Sequence, residues 1–182
     1  MLSMWDGKKY QIPNARVIER YKYVKKHASL FDGLKVLDLG CNAGLFALPL
    51  IDHVEHYIGI ESEPKYYNQA VMTKKVLGEK MTVLKVRIGD VDFETMDCNA
   101  LIVSRVLYYL DDETIERIRT QLLPKCKVVL LINGTRPKKK KSNSWDFWKR
   151  ESATTFLERF NREYEPGAEG ASYRIIAERQ GV

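Results

Sequence analysis

Short apolar runs alternate with longer mixed segments through the middle of the chain, and this alternation predicts the order of its secondary structure. Five runs have the length of buried strands, and we predict strands at residues 35–39, 57–60, 81–87, 100–104 and 127–132. The segments between them predict helices at residues 44–51, at residues 64–77 and from Asp111 to just before Pro124. Such an alternation is typical of an α/β fold, a doubly wound, mostly parallel sheet with helices on both faces.

Both ends of the chain extend this core. Residues 15–30 carry a loose apolar stripe that predicts an N-terminal helix. After the fifth strand, the pattern predicts a basic loop over residues 136–143, a helix over residues 144–160, and a closing hairpin of strands at residues 162–165 and 172–178. The hairpin adds two strands, so we expect a seven-stranded sheet with an antiparallel C-terminal hairpin strand.

Composition and charge place only loose limits on function. The 182 residues are 45% hydrophobic and 30% charged, which is ordinary for a globular domain, and the net charge of +6 mildly favours an anionic partner. The three cysteines, Cys41, Cys98 and Cys126, have no metal-binding or redox spacing and fit free thiols in a reducing cytosol. No apolar run approaches the ~20 residues of a membrane span, and the N-terminus lacks the apolar core of a signal peptide. We therefore expect a cytoplasmic protein without a metal site.

The segment VLDLGCNAGLF, residues 36–46, marks the end of the first strand as a candidate binding site. Asp38 lies near the strand end, and two glycines, Gly40 and Gly44, follow four residues apart. In a doubly wound sheet, ligands bind beyond the carboxyl ends of the strands. A glycine there admits a ligand close to the backbone, and we expect the amides of residues 41–44 to point at the bound group. The spacing D-x-G-x-x-x-G differs from the G-x-G-x-x-G of a dinucleotide site.

This segment resembles the first motif of the class I S-adenosylmethionine-dependent methyltransferases, and later segments resemble that family in the same order. Glu61 ends the second strand about twenty residues after the glycine turn, where an acid implies hydrogen bonds to both ribose hydroxyls of the cofactor. Asp90 follows the third strand, where the family's acid binds the adenine amino group and the neighbouring amide, here that of Val91, meets the ring. The segment at Ser104 resembles the end of the family's fourth strand, where the backbone of Ser104 or Arg105 accepts from the methionine amino group.

The resemblance covers residues 32–135 and implies a methyltransferase that uses S-adenosylmethionine and releases S-adenosylhomocysteine. It departs from the family at the turn before the fifth strand, where Lys125 and Cys126 replace the usual glycines. The cofactor-binding residues that it implies are Asp38, Gly40, Cys41, Asn42, Gly44, Glu61, Ser62, Asp90, Val91 and Ser104. We expect a single methyltransferase domain over residues 1–182, with a helical segment capping the site at 1–31, a cofactor-binding core at 32–135, and a basic loop, helix and hairpin at 136–182.

The acceptor of the methyl group leaves a weaker trace in the sequence. Methyl transfer is an in-line displacement at a methyl group already activated by the cofactor, so the protein mainly positions the reactants, and the family has no fixed catalytic motif. The residues after the fourth strand, Ser104-Arg105-Val106-Leu107, lack the Asn-Pro-Pro-Tyr motif of enzymes that methylate amino groups of DNA or glutamine. They also lack the Pro-Cys pair of cytosine-C5 enzymes. The remaining acceptors are oxygens, carboxylates and amines of small molecules, glycans or RNA.

Candidates for catalysis and substrate binding follow the fourth and fifth strands. The weak catalytic candidates are Arg105, Tyr108, Tyr109 and His27, the last as a base in the N-terminal helix that often closes over the cofactor in this family. The substrate-binding candidates are Arg105, Tyr108, Asn133, Arg136 and Trp145, with Tyr109 and Trp148 on the same grounds. Core packing is the alternative for each aromatic residue among them, and a structural role is the alternative for His27.

Three hypotheses about function remain open. The first is a methyltransferase that acts on an oxygen or nitrogen of a small molecule or glycan. The second is an RNA methyltransferase, in which the lysines of residues 138–141 and basic N-terminal residues attract phosphates while Trp145 and Trp148 stack on unpaired bases. The third is a non-catalytic binding or scaffold domain. The retained glycines and acids argue against the third, because a scaffold need not keep a cofactor site.

Overall fold

The structure, a computed structural model, describes residues 4–5, 10–11, 15–134, 160–166 and 172–179. The chain divides into two compact units, Met1–Arg87 and Ile88–Val182. Seven of the described strands form a mixed sheet that is mostly parallel and has antiparallel C-terminal strands, which confirms the predicted fold class. The predicted organisation as one domain with a capping segment, a cofactor-binding core and a C-terminal region stays a prediction.

The described part of the first unit contains a short antiparallel strand pair, three helices and three parallel strands. In chain order these are β1 (Met4–Trp5), β2 (Tyr10–Gln11), α1 (Ala15–Lys26), β3 (Lys35–Leu39), α2 (Ala47–Leu50), β4 (His56–Ile60), α3 (Pro64–Leu77) and β5 (Met81–Leu84). A 3-10 turn, Ala28–Phe31, follows α1. β4 lies between β5 and β3 and pairs with both in parallel, with Ile60 opposite Leu39 on one side and Leu84 on the other. The carboxyl ends of the three strands are therefore level.

The composition of these elements explains why they form. The strands are mostly apolar because parallel sheets are covered on both faces, and Val36, Leu37 and Leu39 of β3 are fully buried. The helix α3 begins at Pro64, which suits a first helical turn because its missing N–H needs no partner there. It ends at Leu77 and is followed by Gly78, whose φ of 81° lies in the region that favours glycine.

Within its described residues, the second unit contains four strands and one helical segment. In chain order these are β6 (Ala100–Ser104), α4 (Asp112–Arg117), β7 (Val128–Gly134), β8 (Phe160–Pro166) and β9 (Ser172–Arg179). Two 3-10 turns, Ile88–Asp90 and Leu107–Tyr109, precede and follow β6. β7 pairs in parallel with β6 and antiparallel with β9, and β9 pairs antiparallel with β8. The strands of the predicted C-terminal hairpin are thus confirmed.

The helical segment of the second unit runs further than its regular α-helix. Asp111 caps the N-terminus of α4, since its carboxylate accepts a 2.7 Å hydrogen bond from an amide of the first turn. After Arg117 the chain continues as a π-helix, Ile118–Leu122, and a 3-10 turn, Leu123–Lys125. The sequence predicts a stop before Pro124, but helical turns pass it, because the proline lies at the start of the 3-10 turn.

Two predicted elements of the core are shorter than expected. The helix predicted at residues 44–51 is α-helical only at Ala47–Leu50, because residues 42–46 form turns around left-handed backbone positions. The strand predicted at residues 81–87 ends at Leu84, the last residue that pairs with β4.

Predictions for the two ends of the chain also need correction. The helix predicted at residues 15–30 is α-helical only to Lys26 and then gives way to the 3-10 turn. Phe160, predicted to end a helix, begins β8 and pairs in the hairpin. The rest of that helix, residues 144–159, and the basic loop at residues 136–143 lie outside the described residues.

A close contact in the first unit predicts its response to one added methyl group. A Cβ built on Gly59 would lie 2.7 Å from Cys41 Sγ and 3.0 Å from Cys41 Cβ. Both residues are buried, so we expect Gly59→Ala to lower the free energy of unfolding by about 2 kcal/mol. In a Cys41→Ala background the nearer contact is absent, and we expect a smaller loss in the double-mutant cycle by urea unfolding. An equal loss in both backgrounds would contradict this packing.

Candidate functional site

The turn that follows β3 has a backbone that few residues adopt. Gly40, Asn42 and Gly44 have φ values of 71°, 53° and 72°. Glycine reaches these angles without steric penalty, and asparagine is among the few other residues that tolerate them. A Cβ on Gly44 would also lie 2.7 Å from Met81 Cε, so this glycine packs directly against β5. The glycines and the asparagine of the motif therefore occupy the positions where the turn requires them.

The four amides of residues 41–44 all have partners inside the first unit. The donor–acceptor pairs are Cys41 N to Ile60 O, Asn42 N to Glu61 Oε2, Ala43 N to Asn42 Oδ1 and Gly44 N to Cys41 O, at 2.9 to 3.0 Å. The expectation that these amides point at a bound group is therefore wrong. The turn differs in this respect from a phosphate-binding loop, whose amides point at the anion.

Glu61 joins the end of β4 to this turn. Its Oε2 accepts the hydrogen bond from Asn42 N, and its Oε1 accepts one from Glu63 N at 2.8 Å. Its own amide donates to Leu84 O at 3.1 Å, which fixes the backbone beside β5. The side chain is half-buried, and each carboxylate oxygen retains a lone pair for a further donor. Protein amides thus hold the carboxylate in place while it can still accept from a ligand.

Asp38 of β3 is a buried acid, and one of its two carboxylate oxygens has a hydrogen-bond partner. The hydroxyl of Tyr57 in β4 donates to Oδ2, whereas Oδ1 is buried without a hydrogen-bond partner among the described residues. Burial raises the pKa of Asp38 to about 7, although the Tyr57 hydrogen bond lowers it; the charge of Glu61 raises it further and that of Arg20 lowers it. A carboxyl group that ionises near neutral pH and has an unbonded oxygen is suited to a cationic partner.

Cys41 and Ser62 complete the candidates of the first unit. The Cys41 thiol is buried against Gly59, and burial followed by the charge of Asp38 raises its pKa. The thiol therefore stays protonated and unreactive, which agrees with the interpretation of Cys41 as a small residue that fills space in the turn. Ser62 is exposed directly after Glu61. The first unit thus brings its predicted acids and glycines together at the carboxyl ends of two neighbouring strands.

In the second unit, Asp90 and Val91 belong to the loop that leads towards β6. The Asp90 side chain is exposed, and Val91 is buried. The Val91 amide, expected to meet adenine, donates to Ile88 O at 3.3 Å, slightly beyond the usual hydrogen-bond range. Arg117 of α4 donates to the carbonyl of Gly89 at 2.8 Å and to that of Val91. The predicted adenine-binding loop is therefore attached to the helix that follows it.

The segment after β6 contains the remaining described candidates. Ser104 is buried at the strand end, and Arg105 follows with φ of 57°, a strained value for a long side chain. The Arg105 amide donates to Ile132 O at 2.8 Å, which anchors this strained residue to β7. Tyr109 is 71% exposed, so it does not pack into the core. The side chains of Tyr108 and Asn133, and the whole of Arg136, Trp145 and Trp148, lie outside the described part of the structure.

His27 lies directly after α1 in the first unit. Its ring is buried and meets the Tyr23 ring edge to face, with centroids 4.7 Å apart and planes at 62°. A histidine packed in this way has a structural role, so the structure favours the structural alternative over a catalytic base.

Two further properties concern only the described stretches of the chain. They contain no group of histidine, cysteine, aspartate and glutamate side chains arranged to hold a metal ion. They also contain no helix that combines the length and the apolarity needed to traverse a bilayer.

The mixed seven-stranded sheet and the acid-flanked glycine turn at its first parallel strand define a class I methyltransferase fold. A family model described as "Methyltransferase domain" matches residues 36–127, just over half of the chain. The chain belongs to this family and is an S-adenosylmethionine-dependent methyltransferase. No curated protein sequence matches it significantly.

Solved methyltransferase structures share the fold at low identity. The N-methyltransferase NodS from Bradyrhizobium japonicum WM9, in complex with S-adenosyl-L-homocysteine, is 18% identical with a TM-score of 0.67, over 92% of this chain and 89% of that chain. The magnesium protoporphyrin IX methyltransferase from Synechocystis PCC 6803, with bound SAM, is 15% identical with a TM-score of 0.66, over 93% and 86%. A small RNA methyltransferase is 17% identical with a TM-score of 0.68, over 95% of this chain and 28% of its own. At these identities the likeness shows the fold alone.

Sequence reasoning missed two residues that hold predicted site residues in place, Tyr57 and Arg117. Tyr57 carries a usable signal, because a tyrosine inside an apolar parallel strand needs a buried partner for its hydroxyl. The register places Asp38 opposite Gly59, two residues beyond Tyr57, so the acid is within reach of the ring. Arg117 carries no such signal, because its partners are backbone carbonyls, which every residue possesses.

The buried Asp38 makes stability depend on pH. The pKa of this carboxyl group is 3.8 in its ordinary state and about 7 in the fold. Between these values the unfolded chain releases a proton that the folded chain keeps, so rising pH favours unfolding, and the effect is complete once the folded group has ionised. Asp38→Asn keeps an acceptor for the Tyr57 hydroxyl but cannot ionise. The quantity to follow is the free energy of unfolding of Asp38→Asn minus that of wild type. We expect this difference to rise by on the order of 3 kcal/mol between about pH 4 and pH 8.

Urea unfolding of both proteins across this pH range, without cofactor, measures the difference. A difference that does not change with pH would show that Asp38 does not carry this proton.

Proposed function

We propose that the acids and glycines at the ends of β3 and β4 bind S-adenosylmethionine, and that the protein transfers the methyl group to an oxygen or nitrogen of a small molecule or glycan. The observation that carries the cofactor assignment is a turn whose amides are engaged, flanked by two carboxylates. Such a turn offers little to a phosphate, whereas Asp38 and Glu61 attract positive charge and accept from hydroxyl groups. A sulfonium, an ammonium and two ribose hydroxyls match these groups.

Each acid of the first unit has a separate task in this proposal. Glu61 accepts from both ribose hydroxyls, because each of its oxygens retains a lone pair after bonding a backbone amide. Asp38 stabilises the positive charge of the methionine portion, because its buried Oδ1 has no other partner among the described residues. Gly40 admits the ligand close to the backbone, whereas Gly44 lets the turn pack against β5. The proposed first-unit set is Asp38, Gly40, Cys41, Asn42, Gly44, Glu61 and Ser62.

The candidates of the second unit are assigned from the resemblance to the family, for that unit by itself. We assign the exposed Asp90 carboxylate to the adenine amino group and Val91 to the ring. The long hydrogen bond of the Val91 amide leaves this donor weakly engaged. The backbone at Ser104 accepts from the methionine amino group.

The acceptor is assigned to the segment that follows β6. When bound, the cofactor supplies a methyl group activated by its positive sulfur, and the residues around it position the acceptor and exclude water. Arg105 holds a strained left-handed conformation and Tyr109 is exposed, which is a pattern found at binding sites. In this segment, Arg105 and Tyr108 are proposed to bind the molecule that accepts the methyl group. Further along the chain, the proposed substrate-binding residues are Asn133, Arg136 and Trp145.

RNA is the alternative acceptor, favoured by the net charge of +6 and the lysine run at residues 138–141. The family match and the intact acids argue against the non-catalytic alternative. All three cysteines are free and buried, which fits a reducing compartment, and we propose the cytoplasm as the location.

One assay separates the acceptor classes. The protein is incubated with cofactor labelled on its methyl group and with either a pool of polar small molecules and short glycans or single-stranded RNA, over a series of salt concentrations. We expect label in the small-molecule and glycan pool and none in RNA. Labelled RNA, with affinity that falls steeply with salt, would support the alternative and contradict the proposed acceptor class.

The role of Glu61 predicts the effect of a nearly isosteric change. Glu61→Gln keeps one acceptor oxygen, so it cannot hold both backbone amides and accept from two ribose hydroxyls. We expect the Kd for S-adenosylhomocysteine, measured by calorimetry, to rise by roughly 10- to 100-fold, the effect of losing hydrogen bonds to a charged group. The matched control is Glu79→Gln, an exposed acid before β5, which should leave the Kd unchanged. Equal Kd values for the two variants would remove Glu61 from the site.

A further inference from the structure

Three side chains from one helical segment hold the loop at residues 88–96. Arg117 donates through Nη1 to Gly89 O at 2.8 Å and through Nη2 to Val91 O, and its guanidinium lies 5.3 Å from the centre of the Phe93 ring. The other two side chains bind the far part of the loop. Their contacts are Gln121 Nε2 to Glu94 Oε1 at 3.1 Å, Lys125 Nζ to Phe93 O at 2.9 Å, Lys125 Nζ to Glu94 O, and Lys125 Nζ to Met96 O at 3.5 Å.

The spacing of these side chains explains how one segment reaches the whole loop. Arg117, Gln121 and Lys125 are four residues apart, and residues at this spacing lie on the same side of a helix. The segment passes from α-helix to π-helix to 3-10 turn, and the wider π-helical turn offsets the narrower turns on either side. The three polar groups therefore face the loop together.

Arg117 acts on the part of the loop that carries Asp90. Its two donors take the carbonyls of Gly89 and Val91, the residues immediately before and after Asp90. A planar fork that binds two carbonyls fixes their mutual orientation, which a single ammonium group does not. A Cβ on Gly89 would lie 3.1 Å from Thr114 Oγ1, so this end of the loop also packs closely on α4. The backbone on either side of Asp90 is thus held by a residue outside the loop.

We propose that Arg117 is a positioning residue for recognition of the adenine base, acting through the Gly89 and Val91 carbonyls on the Asp90 carboxylate. This inference rests on the proposed function, which assigns Asp90 to the adenine amino group. Gln121 and Lys125 hold residues 93–96 and serve the stability of the loop rather than base recognition. Because Arg117 touches neither cofactor nor substrate in this assignment, its replacement changes base selectivity and leaves the chemical step intact.

The test compares two ligands by calorimetry: S-adenosylhomocysteine, and its analogue in which a carbonyl oxygen replaces the adenine amino group. The analogue presents an acceptor to Asp90 in place of a donor, so we expect wild type to bind it roughly 10- to 100-fold more weakly. The selectivity ratio is the Kd for the analogue divided by the Kd for S-adenosylhomocysteine. In Arg117→Met we expect this ratio to fall to about three or less, with kcat at saturating cofactor unchanged. Arg117→Lys keeps the charge but not the fork and should give an intermediate ratio.

Two control variants separate positioning from general loss of structure. Lys125→Met removes contacts to three carbonyls of the same loop and should lower the melting temperature while keeping the wild-type ratio. Arg119→Met removes a surface pair with Glu116 and should change neither quantity. If Arg117→Met does not fold, the ratio for Arg117→Lys decides the question.

Each outcome has a distinct meaning. A wild-type ratio retained in the Arg117 variants, or an equal loss of ratio in Lys125→Met, would overturn the positioning role. Wild-type protein that binds both ligands equally would overturn it too, while the cofactor assignment of Glu61 would stand. Wild-type protein that binds neither ligand would overturn the proposed cofactor site and this inference with it.

Discussion

The hydrogen bond from the Asn42 amide to the Glu61 carboxylate is the interaction on which the proposed site depends. It ties the left-handed turn after β3 to the end of β4, and the second Glu61 oxygen is held by the Glu63 amide. A carboxylate bonded to two backbone amides has a defined orientation, so its remaining lone pairs point in defined directions. The parallel register of β3 and β4 brings the two strand ends level, which makes this bond possible. Strand pairing, turn conformation and ligand-binding geometry are therefore set together.

The electrostatics of the turn explain why it suits this cofactor better than a nucleotide phosphate. The Asp38 carboxyl group is buried and its ionised form is costly, which is why its pKa lies near 7. Tyr57 offsets part of that cost by donating to one oxygen, and a cationic ligand offsets more. A phosphate would meet two carboxylates, and the amides of residues 41–44 are already engaged. The same residues thus lower the stability of the ligand-free chain and favour a positively charged cofactor. Loss of stability in exchange for binding affinity is found at many functional sites.

The sequence predicted the fold well, because the fold depends on local patterns. Apolar runs, Pro64 at a helix start and glycines at strand ends signal their own conformation. The partners of polar groups depend on neighbours far along the chain. Hence the engaged amides of the turn were not foreseen, since their acceptors include Ile60 and Glu61, nineteen residues away from the turn in each case. Arg117 was missed for the same reason, because its carbonyl partners lie 26 and 28 residues before it.

Calorimetric titration of the wild-type protein with S-adenosylhomocysteine measures whether the chain binds the cofactor product at the proposed site. The ligand keeps the ribose, the adenine and the amino acid portion, and it cannot react, so the heat reports binding alone. We expect one site per chain with a Kd within the range of about 1 μM to 1 mM that is usual for enzyme ligands. A folded protein, shown by a cooperative unfolding transition, that gives no heat and no thermal shift at about 1 mM ligand would contradict this expectation.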